Sequence, residues 1–204
     1  YQRGSWRNIM SLLPYASLTH RRKAYRAGDV VLLSSQTASG DSALSFTSGI
    51  TSTYGEYIFK FYNINPATED YNFTFNGSID GGSNYNVTKT TTTFTAYHRE
   101  NDTVTSLGYD ATRDLAQSTN FQQLGWNIGS GADESLAGEF HLFNPSSTTY
   151  VKHFYGQSSY YYSSDYAFIT YVAGYFNDTN DIDAMQFKMS SGNFDGTIKL
   201  WGVK

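Results

Sequence analysis

The sequence predicts an all-β protein, an antiparallel β-sandwich of jelly-roll type behind an extended N-terminal arm. Three observations lead there. The 204 residues include 18 Tyr, 14 Phe and 18 Gly but only 3 Pro, and 16% are charged. Aromatic and β-branched side chains suit pleated, half-buried surfaces, while Gly, Asn and Ser mark frequent turns. Apolar residues also recur with period two, most clearly over Tyr71 to Ile79 and Asp183 to Met189, which places them on one face of a strand. Turn signals interrupt such runs every 8–14 residues or so, giving about ten strands, the pattern of a sandwich. There is no heptad and no internal repeat.

In chain order, Val30 to Gln36 and Ala43 to Thr47 read as the first two strands, with Thr37-Ala38-Ser39-Gly40-Asp41 as the turn between them. Tyr57, Phe59 and Phe61 alternate with Ile58, Lys60 and Tyr62 until Asn65-Pro66 ends the run. Over Tyr71 to Ile79, Tyr71, Phe73 and Phe75 share one face and Asn72, Thr74, Asn76 and Ser78 the other, as in a sheet with one wet face. Asp80-Gly81-Gly82-Ser83 turns the chain, and the return is expected at Tyr85 to Val87. Thr90 to Tyr97 is a Thr-rich strand, and Asn101 to Asn120 reads as loops or a short helical turn. Further strands follow at Phe121 to Ile128, Leu136 to Phe143 and Tyr150 to Tyr155. Tyr166 to Phe176 is apolar on both faces, as for a central strand covered by a second sheet or another subunit. Ile182 to Met189 and Thr197 to Val203 form an expected closing hairpin through Ser190-Ser191-Gly192-Asn193, with Trp201 expected in the core.

Charge divides the chain into residues 1–28, an arm, and 29–204, the sandwich. Arg3, Arg7, Arg21, Arg22, Lys23 and Arg26 give the arm +6 with no acid; the rest holds 8 bases and 18 acids, −10, for −4 in total. Such an arm suits docking on an acidic neighbouring subunit; phosphate contact is the weaker alternative and an unpartnered tail the plain one. Cysteine is absent, which removes disulfides and thiolate chemistry together. No apolar run approaches the 18 or so residues of a membrane-spanning helix. The sequence opens on Tyr1 and not Met, as expected of a processed chain or one whose start is missing.

Chemistry is sparse. No P-loop occurs, and Gly156-Gln157-Ser158-Ser159-Tyr160 lacks the last Gly of a nucleophile elbow. His20, His98, His141 and His153 show no metal spacing, and no cofactor is expected. Glu139 and His141 share a strand face, compatible with an acid-oriented base or with ordinary polar alternation. Asp133, Glu134 and Glu139 are the carboxylates available for sugar hydrolysis, with a solvated Gly-rich loop the plainer account. Asp178, Asp181 and Asp183 could offer oxygen ligands to Ca²⁺ but lack an EF-hand frame. The stretch Gln157 to Tyr166 carries Tyr160, Tyr161, Tyr162 and Tyr166 among serines, the composition of adaptable contact surfaces. Those tyrosines suit a subunit interface, a glycan contact or a core-covering edge strand.

The ending Ser190-Ser191-Gly192-Asn193, Gly196-Thr197-Ile198 and Trp201-Gly202 resembles that of many tailed-bacteriophage virion proteins, with Trp201 where Tyr is usual. The likeness continues through Leu32 to Ser39, Phe46 to Ile50, Tyr54 to Tyr57 and Asp80 to Ser83, spanning roughly residues 30–204. The resemblance implies a non-enzymatic structural protein located in the virion and assembled in the bacterial host cytoplasm. Its place would be tail-fibre or tail-associated, with capsid decoration or a head fibre as the alternative. A glycan-binding module or a polysaccharide depolymerase is the second alternative. Other virion proteins are the expected partners, host-surface glycan a further one, and a homo-oligomer, by analogy a trimer, the expected state.

Overall fold

The computed structural model describes residues 29–204. The arm residues Arg3, Arg7, Arg21, Arg22, Lys23 and Arg26 lie outside the described residues. The described chain folds into twelve strands and no helix: β1 (Val30–Asp41), β2 (Ala43–Phe46), β3 (Glu56–Pro66), β4 (Tyr71–Ser78), β5 (Lys89–Arg99), β6 (Thr105–Tyr109), β7 (Gln122–Ile128), β8 (Leu136–Phe143), β9 (Lys152–Tyr162), β10 (Tyr166–Phe176), β11 (Ala184–Met189) and β12 (Phe194–Val203).

Eight of these strands make a jelly roll. One sheet runs β1-β12-β3-β8 and the facing sheet β2-β11-β4-β7. The antiparallel pairs β1–β12, β2–β11, β3–β8 and β4–β7 are rungs of one long hairpin. Pairing of β12 with β3 and of β11 with β4 rolls that hairpin on itself. The other four strands enter as two insertions, β5–β6 after β4 and β9–β10 after β8. They continue the first sheet past β8 in the order β9-β10-β5-β6. Ile128 pairs with Tyr162 and ties β7 to β9, so the two sheets nearly close into a barrel.

Between the sheets lies a core of phenylalanines. Alternation sends Phe59 and Phe61 of β3, Phe73 and Phe75 of β4, Phe140 of β8 and Phe187 of β11 inward, all fully buried. The Phe187 ring centroid lies 5.0–6.2 Å from those of Phe46, Phe59, Phe61, Phe73 and Phe140, mostly tilted or edge-on. These are the separations and angles that ring quadrupoles favour.

Several elements differ from the sequence expectation, each for a physical reason. The strands expected to form a closing hairpin belong to opposite sheets: β11 pairs with β2 and β4, β12 with β1 and β3. The turn with Gly192 at φ 74° therefore crosses the sandwich. On β12, Ile198 and Leu200 point into the core, so Trp201 must point out; it is half-buried on the outer face. The polar face of β4 is not wet. Thr74, Asn76 and Ser78 are buried, and the Asn76 side-chain amide donates to the carbonyls of Tyr85 and Thr119 in covering segments. No return strand begins at Tyr85 to Val87; the chain crosses to the other sheet and resumes at Lys89. The strand expected to end at Tyr155 runs on, and Gly156 to Ser159 form the middle of β9. There the Ser158 hydroxyl donates to the Leu124 carbonyl, and a Cβ at Gly156 would meet the Leu124 side chain at 3.2 Å. Small residues sit there because β7 passes close behind.

Candidate functional site: an outer sheet face and a hairpin-tip pocket

The two insertions build the surfaces that the scaffold alone lacks. Across the outer face of the extended sheet, one row runs Tyr109, Phe94, Tyr171, Gln157, Glu139, Lys60 and Lys199. The next runs Thr92, Ala173, Tyr155, His141, Ile58, Trp201 and Leu32. Phe94 stacks on Tyr171 at 4.7 Å. Tyr155 is 45% and Tyr109 59% exposed, and Leu107 beside them reaches 73%. β10 is thus apolar on both sides as its sequence requires: Phe168, Val172 and Phe176 face the core, Ile169, Tyr171 and Ala173 this outer face. Beside Phe143 the face deepens into a cleft of about 670 Å³ lined by Tyr54, Asn144, Tyr150 and His153.

Charges on this face gather at one cluster. The Glu139–His141 pair is joined by Glu56, whose Oε1 lies 2.5 Å from His141 Nδ1. His141 Nε2 sits 3.3 Å from Glu139 Oε1 but off-line, leaving that nitrogen buried without a hydrogen bond. Lys60 lies 3.5 Å from Glu139. The Tyr155 ring stacks over the imidazole at 4.4 Å. The arrangement gathers Glu56, His141, Glu139 and Lys60 beside an aromatic ring, with the two carboxylates partly exposed.

The other candidates separate. Ser158 is spent on the Leu124 carbonyl. Glu134 folds back onto its own loop, its Oε2 accepting from Gly131 N at 2.7 Å, away from the β8 strand that carries Glu139. Asp178 accepts from Asn180 N at 2.8 Å, and Asp183 from Gly81 N at 2.9 Å. Among the described residues no three His, Asp or Glu side chains converge with metal spacing.

The predicted tyrosines go three ways. Tyr160 is a core residue and not a contact residue: it is 4% exposed, its hydroxyl 3.2 Å from Thr170 Oγ1, and burial pushes that hydroxyl well above its usual range. Tyr161 points outward and donates to Asp165, which holds its hydroxyl up at about 12. Tyr162 and Tyr166 flank the β9–β10 turn and line a pocket of about 360 Å³ with Tyr97, Trp126, Phe168 and Asp110. Phe168 forms its floor, stacked by Tyr97 at 4.7 Å and by Tyr162 at 5.0 Å. Tyr166 meets Tyr97 and Tyr162 edge-on.

Sequence reasoning missed the opposite wall, where Trp126 of β7 and Asp110 of the preceding loop stand. Thr91, on the inner face of β5, accepts from Leu115 N at 2.8 Å and donates to Gln122 Oε1 at 2.7 Å. So anchored, Arg113 lies 3.9 Å over the Trp126 ring and pairs with Asp110 at 3.0 Å. The threonine row of β5 was visible in the sequence, but nothing local told that a loop would hang from it. Comparison of the chain with protein-family models, with curated proteins and with solved structures returned no match.

Proposed function

We propose that this chain is a non-enzymatic structural protein of a tailed-phage virion, tail-fibre or tail-associated, that assembles as a homo-oligomer. The observation that carries the reading is the outer sheet face. Aromatic and aliphatic side chains from Leu107 to Trp201 form a broad surface with few charges, and contiguous apolar area of that kind marks an interaction site. Its charges suit a second copy of the chain, because Glu56 and Glu139 lie beside Lys60 and Lys199 and a rotated neighbour could pair them. The phage assignment rests on the motif resemblance, and the motifs fall in a pattern. Leu32 to Ser39 lies on β1, Phe46 ends β2, Tyr54 to Tyr57 opens β3, Asp80 to Ser83 follows β4, and the ending spans the turn into β12 and β12 itself. All of them lie on or next to scaffold strands and none on an insertion strand.

Three measurements test the reading. Light scattering of the purified full chain should give a multiple of the 22.8 kDa subunit, a trimer on this proposal. Tyr155→Glu combined with Tyr171→Glu, which puts charge into the face, should return it to a monomer that is still folded, with the circular dichroism of the parent. A monomeric parent at micromolar concentration sinks the proposed assembly. The basic segment 1–28 is assigned the docking role. Its removal should leave a folded, oligomeric domain that no longer enters particles, because attachment through charged groups is lost while apolar burial is untouched. Normal occupancy of the truncated protein would move docking to the sandwich. Copy number in the particle separates a tail position, with few copies, from capsid decoration, with many.

A further inference from the structure

The pocket between the insertion hairpins and β7 is built for a ligand in three respects. First, its walls do not depend on the ligand for their positions. The β9–β10 tip is tied to the facing sheet by Ser163 N to the Asn127 carbonyl at 3.0 Å and by Asn127 Nδ2 to the Tyr162 hydroxyl at 3.2 Å. It is tied to the β5–β6 tip by Glu100 N to the Asp165 carbonyl at 2.9 Å. A site held this way loses little freedom on binding. Second, about 360 Å³ lies at the small end of the roughly 300–1,000 Å³ range of ligand sites. Third, its chemistry is mixed: rings of Tyr97, Tyr162, Tyr166, Phe168 and Trp126, with a carboxylate at Asp110, a hydroxyl at Thr95 and the exposed Ser164 at the mouth.

That mixture selects among ligand classes. An organic cation is disfavoured, because Arg113 already occupies the Trp126 face and Arg99 lies 5.3 Å from the Tyr166 ring centroid. A nucleic-acid strand would bring phosphates to a domain whose residues 29–204 carry −10. A purely apolar ligand would cover the Asp110 carboxylate without a hydrogen bond to it. A pyranose suits this lining: its C–H face lies against an aromatic ring, while its hydroxyls donate to Asp110 and exchange hydrogen bonds with the Thr95 or Ser164 hydroxyl. The carboxylate at Asp110 would repel a uronic acid, so a neutral sugar fits better. From this geometry we infer that the pocket formed by Tyr97, Trp126, Tyr162, Tyr166, Phe168 and Asp110 binds a neutral hexopyranose at the end of a glycan chain. The inference leans on the proposed function only for where such a glycan is met, namely at a host surface.

The test uses the full-length chain, calorimetric titration with the methyl glycosides of glucose, galactose, mannose and N-acetylglucosamine, and a glycan array displaying the same terminal sugars. Choline and an oligothymidylate serve as the competing classes. At least one neutral hexoside should bind saturably. Tyr166→Ala should weaken it by about tenfold or more by removing a stacking wall. Ser164→Trp, an added ring on an exposed turn, should abolish binding by filling the mouth; it decides the matter should Tyr166→Ala fail to fold. Both variants should still oligomerise and enter particles, so loss of assembly would count against the proposed function and not against this site. Absence of hexoside binding on both platforms overturns the inference. So does binding that survives both substitutions, or preference for choline or the oligonucleotide.

Discussion

Replacing Phe187 by alanine should cost about 3–5 kcal/mol, the usual penalty for deleting a fully buried aromatic ring. The upper half of that range is expected here, because the site cannot collapse. Phe187 stands on β11 between β2 and β4, and its ring is enclosed by Phe46, Phe59, Phe61, Phe73 and Phe140 from both sheets. Strand spacing is fixed by ladder hydrogen bonds, so neighbouring rings cannot close over the void, and their contact energy is lost with the ring itself. Phe187→Leu should cost far less, since most of the volume remains. Denaturant unfolding at neutral pH checks both. A loss below about 1 kcal/mol for the alanine variant would mean that the sheets repack, contrary to a fixed sandwich.

Stability should rise with pH from about 7 to 10, against the habit of proteins that weaken above neutrality. The cause is Lys89, fully buried at the start of β5, where burial lowers its ammonium to about 7. Its Nζ donates to the carbonyls of Val87 at 3.2 Å and Asn120 at 2.5 Å, with no acid to balance it there. Between that value and the ordinary 10.5 the unfolded chain binds a proton that the folded chain does not. Stability therefore increases with pH in this window, by up to about 1.4 kcal/mol per unit. Buried Lys152, also lowered by desolvation, acts in the same direction. Above 10 the trend reverses. Tyr160 stays protonated in the folded chain because burial raises its hydroxyl, while the unfolded chain ionises it. Lys89→Met should flatten the rise. At pH 7 it should be nearly neutral, because relief of the buried charge offsets the two abandoned carbonyls; at pH 9.5 only the carbonyl loss remains, about 2–4 kcal/mol. Urea midpoints at both pH values give the answer, and a wild-type profile flat between 7 and 10 refutes the assignment.

What the sequence made legible follows from where each side chain meets its surroundings. Alternation in Tyr57 to Phe61 and in Met185 to Met189 identified inward faces, because those strands pack a dry core on one side. It failed on β4, whose Asn76 and Thr74 look solvated but are paired by segments distant in sequence. β6 was invisible, since all five of its residues are exposed and no burial imposes a period. Partnership was the larger gap. A period of two says that a strand has a buried face and nothing about its neighbours, so two adjacent runs at the end were read as a hairpin although they lie in different sheets. The hairpin-tip pocket was half legible. Tyr162 and Tyr166 announced themselves through composition, whereas Asp110 and Trp126 reach the same pocket from another stretch of chain.

Because Val30 lies opposite Val203 and Asp41 opposite Phe194, the first strand of the roll has the last one as its ladder partner. Loop closure over such spans is entropically costly before it is rewarded, so folding should be slow and dominated by contacts of high sequence separation. A chain growing from the ribosome cannot seat β1 until β12 has emerged, and until then one edge of β3, whose other edge pairs with β8, stands open. The outer face is composed last, since its rows run from the early strands through the insertions to Trp201. That face is therefore complete only once β12 is in place, so a contact made through it reports a fully rolled domain.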